Sequence, residues 1–212
     1  VEAPITVSFT DLRLTLNDGR QILRGLAGEI TNSTITALMG PSGSGKTSLL
    51  NVLRGETHYA QQSGQVFLNG TFVKSFQDFK RQIAFVPQDD IMLDDLTVEE
   101  NILYSAALFN KRGYTSLVEC VPFVTYVEKL LGLEFVKHSV VGSADKKGIS
   151  GGQKKRVSVA MEMMKESALF LLDEPTSGLD SATSMSLIYS LRELTKKKVN
   201  IVATLHQPRQ EI

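Results

Sequence analysis

From Ile5 to Leu26, apolar and polar residues alternate around Asn17-Asp18-Gly19, and Gln65 to Val73 do the same around Asn69-Gly70. Alternation sends successive side chains to opposite faces, and Asp-Gly and Asn-Gly favour tight turns, so both stretches predict antiparallel hairpins. Short unbroken apolar runs at Ile35–Met39, Ile83–Val86, Ala168–Leu172 and Ile201–Leu205 lack alternation, as strands buried on both faces of a parallel sheet do. Helical spacing occupies Lys46–Arg54, Val98–Phe109, Phe123–Leu131, Gln153–Met164 and Ser181–Thr195. The middle helices have no core strand between them, which predicts a helical lobe.

With 212 residues and 42% hydrophobic content, the chain can bury one sizeable core with room for a smaller lobe. Lys+Arg and Asp+Glu are equal at 23 each, so no excess positive charge points to nucleic acid, and none is expected as a partner. A lone Cys120 excludes an internal disulfide and suits a reducing, cytosolic setting; it reads as a half-buried helical thiol. No apolar run reaches the roughly 18 residues of a membrane span, and the start VEAPITVSF lacks a signal pattern. The chain opens almost directly into strand-like sequence and stops at Gln210-Glu211-Ile212 without an ending signal, so it reads as an excised domain. Asn32-Ser33-Thr34 and Asn69-Gly70-Thr71 match glycosylation acceptors but read as turns. The clusters Lys154-Lys155-Arg156 and Lys196-Lys197-Lys198 read as ordinary helix charges, the second offsetting a helix C-terminus, rather than as anion sites.

After Ile35–Met39 comes Gly40-Pro41-Ser42-Gly43-Ser44-Gly45-Lys46-Thr47, which satisfies the nucleotide-binding pattern G-x-x-x-x-G-K-[ST]. Glycines let successive N–H groups turn toward phosphate oxygens, and the following helix adds its positive end. Lys46 is expected to reach the β- and γ-phosphates and Thr47 to offer its hydroxyl to Mg²⁺, with Ser48 in the same binding set. The run Ala168–Leu172 ends in Asp173-Glu174, at a strand end where α/β sheets bind ligands. Asp173 is expected to support Mg²⁺, and Glu174 to orient or deprotonate the attacking water.

Gly148-Ile149-Ser150-Gly151-Gly152-Gln153 precedes a helix expected to start near Gln153, making a second anion-binding helix start. One nucleotide does not need two such sites. Here the sequence resembles the ATP-binding-cassette (ABC) ATPases, whose signature LSGGQ is matched by Ile149-Ser150-Gly151-Gly152-Gln153, with Ile in place of Leu. In the same order, Gln88 is similar to the family's Q-loop glutamine, Ser177-Gly178-Leu179-Asp180 to its D-loop, and His206 to its switch histidine. Gln88-Asp89-Asp90, Leu96-Thr97-Val98-Glu99-Glu100-Asn101, Tyr104-Ser105-Ala106, Lys155–Ala160 and Thr204-Leu205-His206-Gln207-Pro208 resemble the G (White) subfamily of ABC transporters, over nearly the whole chain.

The resemblance implies an α/β phosphate-loop NTPase (RecA-like) fold: a mostly parallel core, an antiparallel β-subdomain and an inserted helical subdomain. The β-lobe and core would cover about 1–88 and 165–212, and the helical subdomain about 89–164, with the natural chain continuing into a transmembrane domain. It implies an ATPase in which two such domains, identical or different, meet head to tail around two ATP molecules. Ser150, Gly151, Gly152 and Gln153 would then act on ATP held by the other copy's Gly40–Ser48. Gln88 would couple the Mg²⁺ and water site to the helical lobe, His206 would contact the γ-phosphate beside Glu174, and Asp180 would act across the dimer. The expected role is the motor of an exporter of hydrophobic or lipid-like compounds at the cytoplasmic face of a membrane, its cargo bound elsewhere.

One feature departs from the wider family: Leu14 to Arg20 holds no aromatic residue to stack on adenine, and Phe9 falls too early, so tolerance of other purine nucleotides is expected. A soluble ABC protein clamping ribosomes or nucleic acid is the alternative, opposed by the neutral charge and the subfamily resemblance. A module without catalysis is opposed by the presence of Lys46, Gln88, Glu174 and His206, and an ordinary GTPase by the lack of an N-K-x-D motif.

Overall fold

The chain runs β1 (Val7–Leu16), β2 (Gln21–Ile30), β3 (Ile35–Met39), α1 (Lys46–Leu53), β4 (Ala60–Leu68), β5 (Thr71–Val73), β6 (Ile83–Val86), α2 (Val98–Phe109), α3 (Leu117–Leu130), α4 (Gly151–Met163), β7 (Leu169–Leu172), α5 (Ser181–Thr195) and β8 (Asn200–Leu205). This computed structural model describes residues 5–73, 79, 80, 82–109, 112–143 and 145–205. They divide into two compact units, one holding the chain to Phe85, Ser167–Glu174 and the chain from Leu191, the other Val86–Glu166 and Pro175–Ser190.

In the first unit both expected hairpins form, within an antiparallel sheet of order β2-β1-β4-β5. The alternation in β1 is interrupted. Val7 and Phe9 are buried, then Leu12 and Leu14, so the inward parity changes by one residue. A bulge between Phe9 and Leu12, with Asp11 at φ 49°, absorbs the extra residue and keeps all four side chains on the core face. Gly64 on β4 makes room for it, since a Cβ there would lie 2.5 Å from the Asp11 carbonyl oxygen.

The second sheet has order β3-β8-β7-β6, with β3 parallel to β8 and β8 parallel to β7. β7 and β8 are buried throughout, as their largely apolar runs predict, with Asn200 and Thr204 the buried polar residues of β8. β3 is not: Ala37 and Met39 are exposed, because β3 is an edge strand of this sheet. Leu49, Leu50, Val52 and Leu53 of α1 share one core with Val7, Leu12 and Leu14 of β1 and with Leu169, Leu171 and Val202 of the second sheet.

The second unit contains α2, α3 and α4. α2 opens with a capping box in which Glu100 accepts hydrogen bonds from the Thr97 amide and hydroxyl, each at 2.8 Å, and Thr97 Oγ accepts from the Glu100 amide at 3.2 Å. α3 begins at Leu117, ahead of the expected Phe123, and carries Pro122 inside it. Proline reads as a helix start, but here Glu119 caps the preceding turn by accepting from the Thr115 amide and hydroxyl. Cys120 consequently lies within α3, fully rather than half buried. Among the described residues no helix is long and apolar enough to cross a membrane. Asn32-Ser33 and Asn69-Gly70 are turns.

Candidate active site

In the first unit, Gly45 is the N-cap of α1 at φ 93°, and Gly43 has φ 75°, both in the left-handed region that a side chain disfavours. A Cβ on Gly45 would also come within 3.1 Å of Leu23 Cδ2, whereas one on Gly43 would meet nothing within 4 Å. The loop is therefore open on the Gly43 side. The first amides of α1, on Lys46, Thr47 and Ser48, have no intrahelical acceptor, and no acidic residue occupies that turn. Lys46 Nζ donates to the carbonyls of Gly40 at 2.8 Å and Pro41 at 3.0 Å, and the Ser44 amide to Pro41 at 3.3 Å. Orphan amides, an ammonium and exposed Pro41, Ser42, Gly43 and Ser44 make a cradle fitted to phosphate.

β8 lies between β3 and β7, pairing Leu38 with Thr204 and Leu172 with Ala203. Since the three strands are parallel, Gly40 and Asp173 leave the sheet at the same C-terminal edge. Asp173 is buried, and its Oδ1 accepts a 2.7 Å hydrogen bond from the Thr204 hydroxyl. Thr204 Oγ in turn accepts from the Glu174 amide at 2.7 Å. Glu174 is half-buried at φ 46°, so the chain turns out of the strand between the two carboxylates. Thr204 was not among the site residues expected from sequence; its signals are a polar residue inside the apolar run Ile201–Leu205 and its place at the head of the family-like run Thr204–Pro208.

In the second unit, Ser150 is the N-cap of α4, accepting from the Gln153 amide at 3.3 Å, while Gln153 Oε1 accepts from the Ser150 amide at 2.8 Å. The helix thus begins at Gly151, two residues before the expected Gln153, and the glycines form its first turn. Glycine is poor in a helix interior, which hides this start from propensity, but the capping box supplies it. Gly152 is buried against Thr183, and Gly151 is exposed with open space around it. Asp180 caps α5, accepting from the Thr183 amide at 3.0 Å and hydroxyl at 2.6 Å, bonds that hold its carboxyl below its usual range.

The basic run Lys154-Lys155-Arg156 does not converge on an anion. Arg156 donates to the Leu131 carbonyl, and Lys154 to that of Gly142. Lys155 is buried, pairs with Asp90 at 2.7 Å and donates to the carbonyls of Gln88 at 2.7 Å and Pro87 at 3.2 Å. Ser158 bonds the same Asp90 oxygen at 3.0 Å, and Asn101 clamps Leu93 through both its amide and carbonyl. The loop bearing exposed Gln88 is thereby fastened to α4 and α2.

The first unit assembles Gly40, Pro41, Ser42, Gly43, Ser44, Gly45, Lys46, Thr47 and Ser48 with Asp173 and Glu174 on one sheet edge. The second ties Gln88, Ser150, Gly151, Gly152, Gln153 and Asp180 to α4 and its neighbour α5. His206 lies outside the described residues. Phe9 is buried in the β-lobe against Gly28 and is not free to stack on a base.

These features define a phosphate-loop nucleotide-binding domain of the α/β class. The family model described as ABC transporter matches residues 23–177, and the chain belongs to that family. It is 44% identical over 205 residues to putative white-brown complex homolog protein 30 of Arabidopsis thaliana, covering 96% of this chain and 19% of that protein. Against ABC transporter G family member 25 of Oryza sativa subsp. japonica it is 43% identical, covering 92% and 19% respectively. Against ABC-type transporter claG of Penicillium crustosum it is 39% identical, covering 99% and 28%. The fold matches cbiO1 from Clostridium perfringens, part of the ABC transporter complex cbiONQ, with a TM-score of 0.80 at 25% identity, covering 97% of this chain and 80% of that one. The chain is an ATPase domain that binds ATP, and it spans about a fifth of the length of the first of these relatives.

Proposed function

We propose that this chain is the ATP-driven motor of a G-family transporter, pairing head to tail with a second nucleotide-binding domain and acting on a transmembrane domain of the same polypeptide at the cytoplasmic face of a membrane. The observation that carries this reading is the shared sheet edge at which Gly40–Ser48 and Asp173-Glu174 emerge on either side of β8. Lys46 and the amides of the loop bind the ATP phosphates, and Glu174 orients the attacking water as general base. Thr47, Gln88 and Asp173 offer hydroxyl, amide and carboxylate oxygens, the hard donors that suit Mg²⁺. When bound, that ion supplies charge neutralisation for the transferring phosphoryl group.

Ser150, Gly151, Gly152 and Gln153 complete the site held by the other copy, with Asp180 acting across the pair, and His206 contacts the γ-phosphate. Support comes from α4, whose first-turn amides stand over a glycine stretch exposed at Gly151, a second phosphate-seeking helix start that one nucleotide leaves unused. The helical subdomain, residues 89–164, transmits closure to the membrane domain, and the cargo is hydrophobic or lipid-like.

The test is Glu174→Gln in the full-length protein. ATP binding is retained, and hydrolysis falls by about 10²–10⁴-fold. Hydrolysis at the unmodified rate removes Glu174 from the assigned role.

A further inference from the structure

We infer that Thr204 is a positioning residue for hydrolysis, its one hydroxyl setting Asp173 and Glu174 relative to each other. The inference rests on the assignment of Glu174 made above. The direction is anchored by the amide: the Glu174 N–H only donates, so Thr204 Oγ accepts from it and gives its own single proton to Asp173 Oδ1. The bond from the amide cannot reverse.

The hydroxyl is also held still. Thr204 is fully buried, and its strand is paired on both sides, with Leu38 opposite Thr204 itself and Leu172 opposite the preceding Ala203. A β-branched side chain has few χ1 choices, so the backbone position of β8 is passed to the oxygen with little slack. At the other end Glu174 sits at φ 46°, a conformation unfavourable for a residue with a side chain. The bond to Thr204 holds that turn, and the turn decides where the Glu174 carboxylate is carried. Ile201, Val202, Ala203 and Leu205 leave no other hydroxyl on this strand to replace it.

The experiment compares Thr204→Val, which keeps the shape and removes the hydroxyl, with Thr204→Ser, which keeps the hydroxyl, in the full-length protein. Steady-state hydrolysis, equilibrium ATP binding and hydrogen exchange at the Glu174 amide are read for each. The Val variant loses about 10–100-fold in kcat, as when a partner orienting an active-site carboxylate is removed, while its ATP affinity holds within about twofold. Its Glu174 amide exchanges faster, and Thr204→Ser restores both kcat and protection. In a Glu174→Gln background Thr204→Val adds no further loss of rate, because the two act through one group.

Unmodified kcat in Thr204→Val, or a Ser variant as slow as the Val variant, overturns the inference. If Thr204→Val does not fold, the Ser variant alone decides, since a large loss of kcat with the hydroxyl present has the same force. Should Glu174→Gln itself hydrolyse normally, the earlier assignment fails; if Glu174→Gln is inactive while Thr204→Val is unchanged, only the role of Thr204 does.

Discussion

A Cβ placed on Gly152 would lie 2.3 Å from Thr183 Cγ2, and Thr183 is held there by its hydrogen bonds to Asp180. The glycine-led start of α4 and the cap of α5 are thus one packed contact. Gly152→Ala lowers stability by about 1–3 kcal/mol through overpacking. Adding Thr183→Ser deletes Cγ2, leaving Thr183 Cβ 3.6 Å from the new methyl, and most of that loss is recovered. Gly151→Ala meets nothing within 4 Å and leaves the melting temperature unchanged or slightly higher. Equal destabilisation by the two alanines in urea unfolding would refute the contact as the reason for Gly152.

Buried Lys155 and partly exposed Asp90 form an ion pair that fastens the Gln88 loop to α4. Removing Lys155 leaves the Asp90 carboxylate, partly exposed and bonded to Ser158, without its counter-charge. Lys155→Met lowers unfolding free energy by about 1–3 kcal/mol, and Asp90→Asn added to it recovers part of the loss, because the uncompensated carboxylate is gone. Denaturant titrations of the single and double variants read this directly; strictly additive losses would mean the pair is not coupled.

Glu128 of α3 is fully buried, and neither carboxylate oxygen has a hydrogen-bond partner among the described residues. Burial pushes its pKa up to about 7, with Glu99 and Glu134 adding to the shift and Lys137 opposing it. The folded state therefore holds this proton more tightly than the unfolded chain, whose value is near 4.5. The resulting stability is complete below about pH 4.5 and is lost as the pH rises through about 7. Glu128→Met flattens that pH dependence and raises stability at about pH 8 by about 1–2 kcal/mol. A variant whose thermal melts keep the unmodified slope between these pH values would count against the buried charge.

Much of the site is legible in the chain because each piece is local. The loop Gly40–Thr47 needs positive φ and amides at a helix start, and glycine spacing beside an apolar strand announces both. Leu96–Asn101 matched a family pattern; its structural content, a Thr97–Glu100 box and an Asn101 clamp, explains why those residue types stand there. What was misread also has a local cause. Glycines at 151 and 152 argue against a helix that Ser150 and Gln153 nevertheless begin, and Pro122 hides the first turn of α3.

The sequence by itself determined the strands, the hairpins, the phosphate loop and the acidic pair, since periodicity, turn residues and short motifs express the intrinsic preferences of neighbouring residues. Only the tertiary structure decided which polar side chains serve that pair and the Gln88 loop. Thr204 lies 31 positions from Asp173, and Lys155 lies 67 from Gln88. In the chain, one is a single polar break in an apolar run and the other a lysine in a basic cluster. Parallel pairing of β7 with β8 makes the first a hydrogen-bond partner of both acidic residues, and burial in α4 makes the second a fastener. Those are consequences of distant segments meeting, where the cost of leaving a buried polar group unpaired selects its partner.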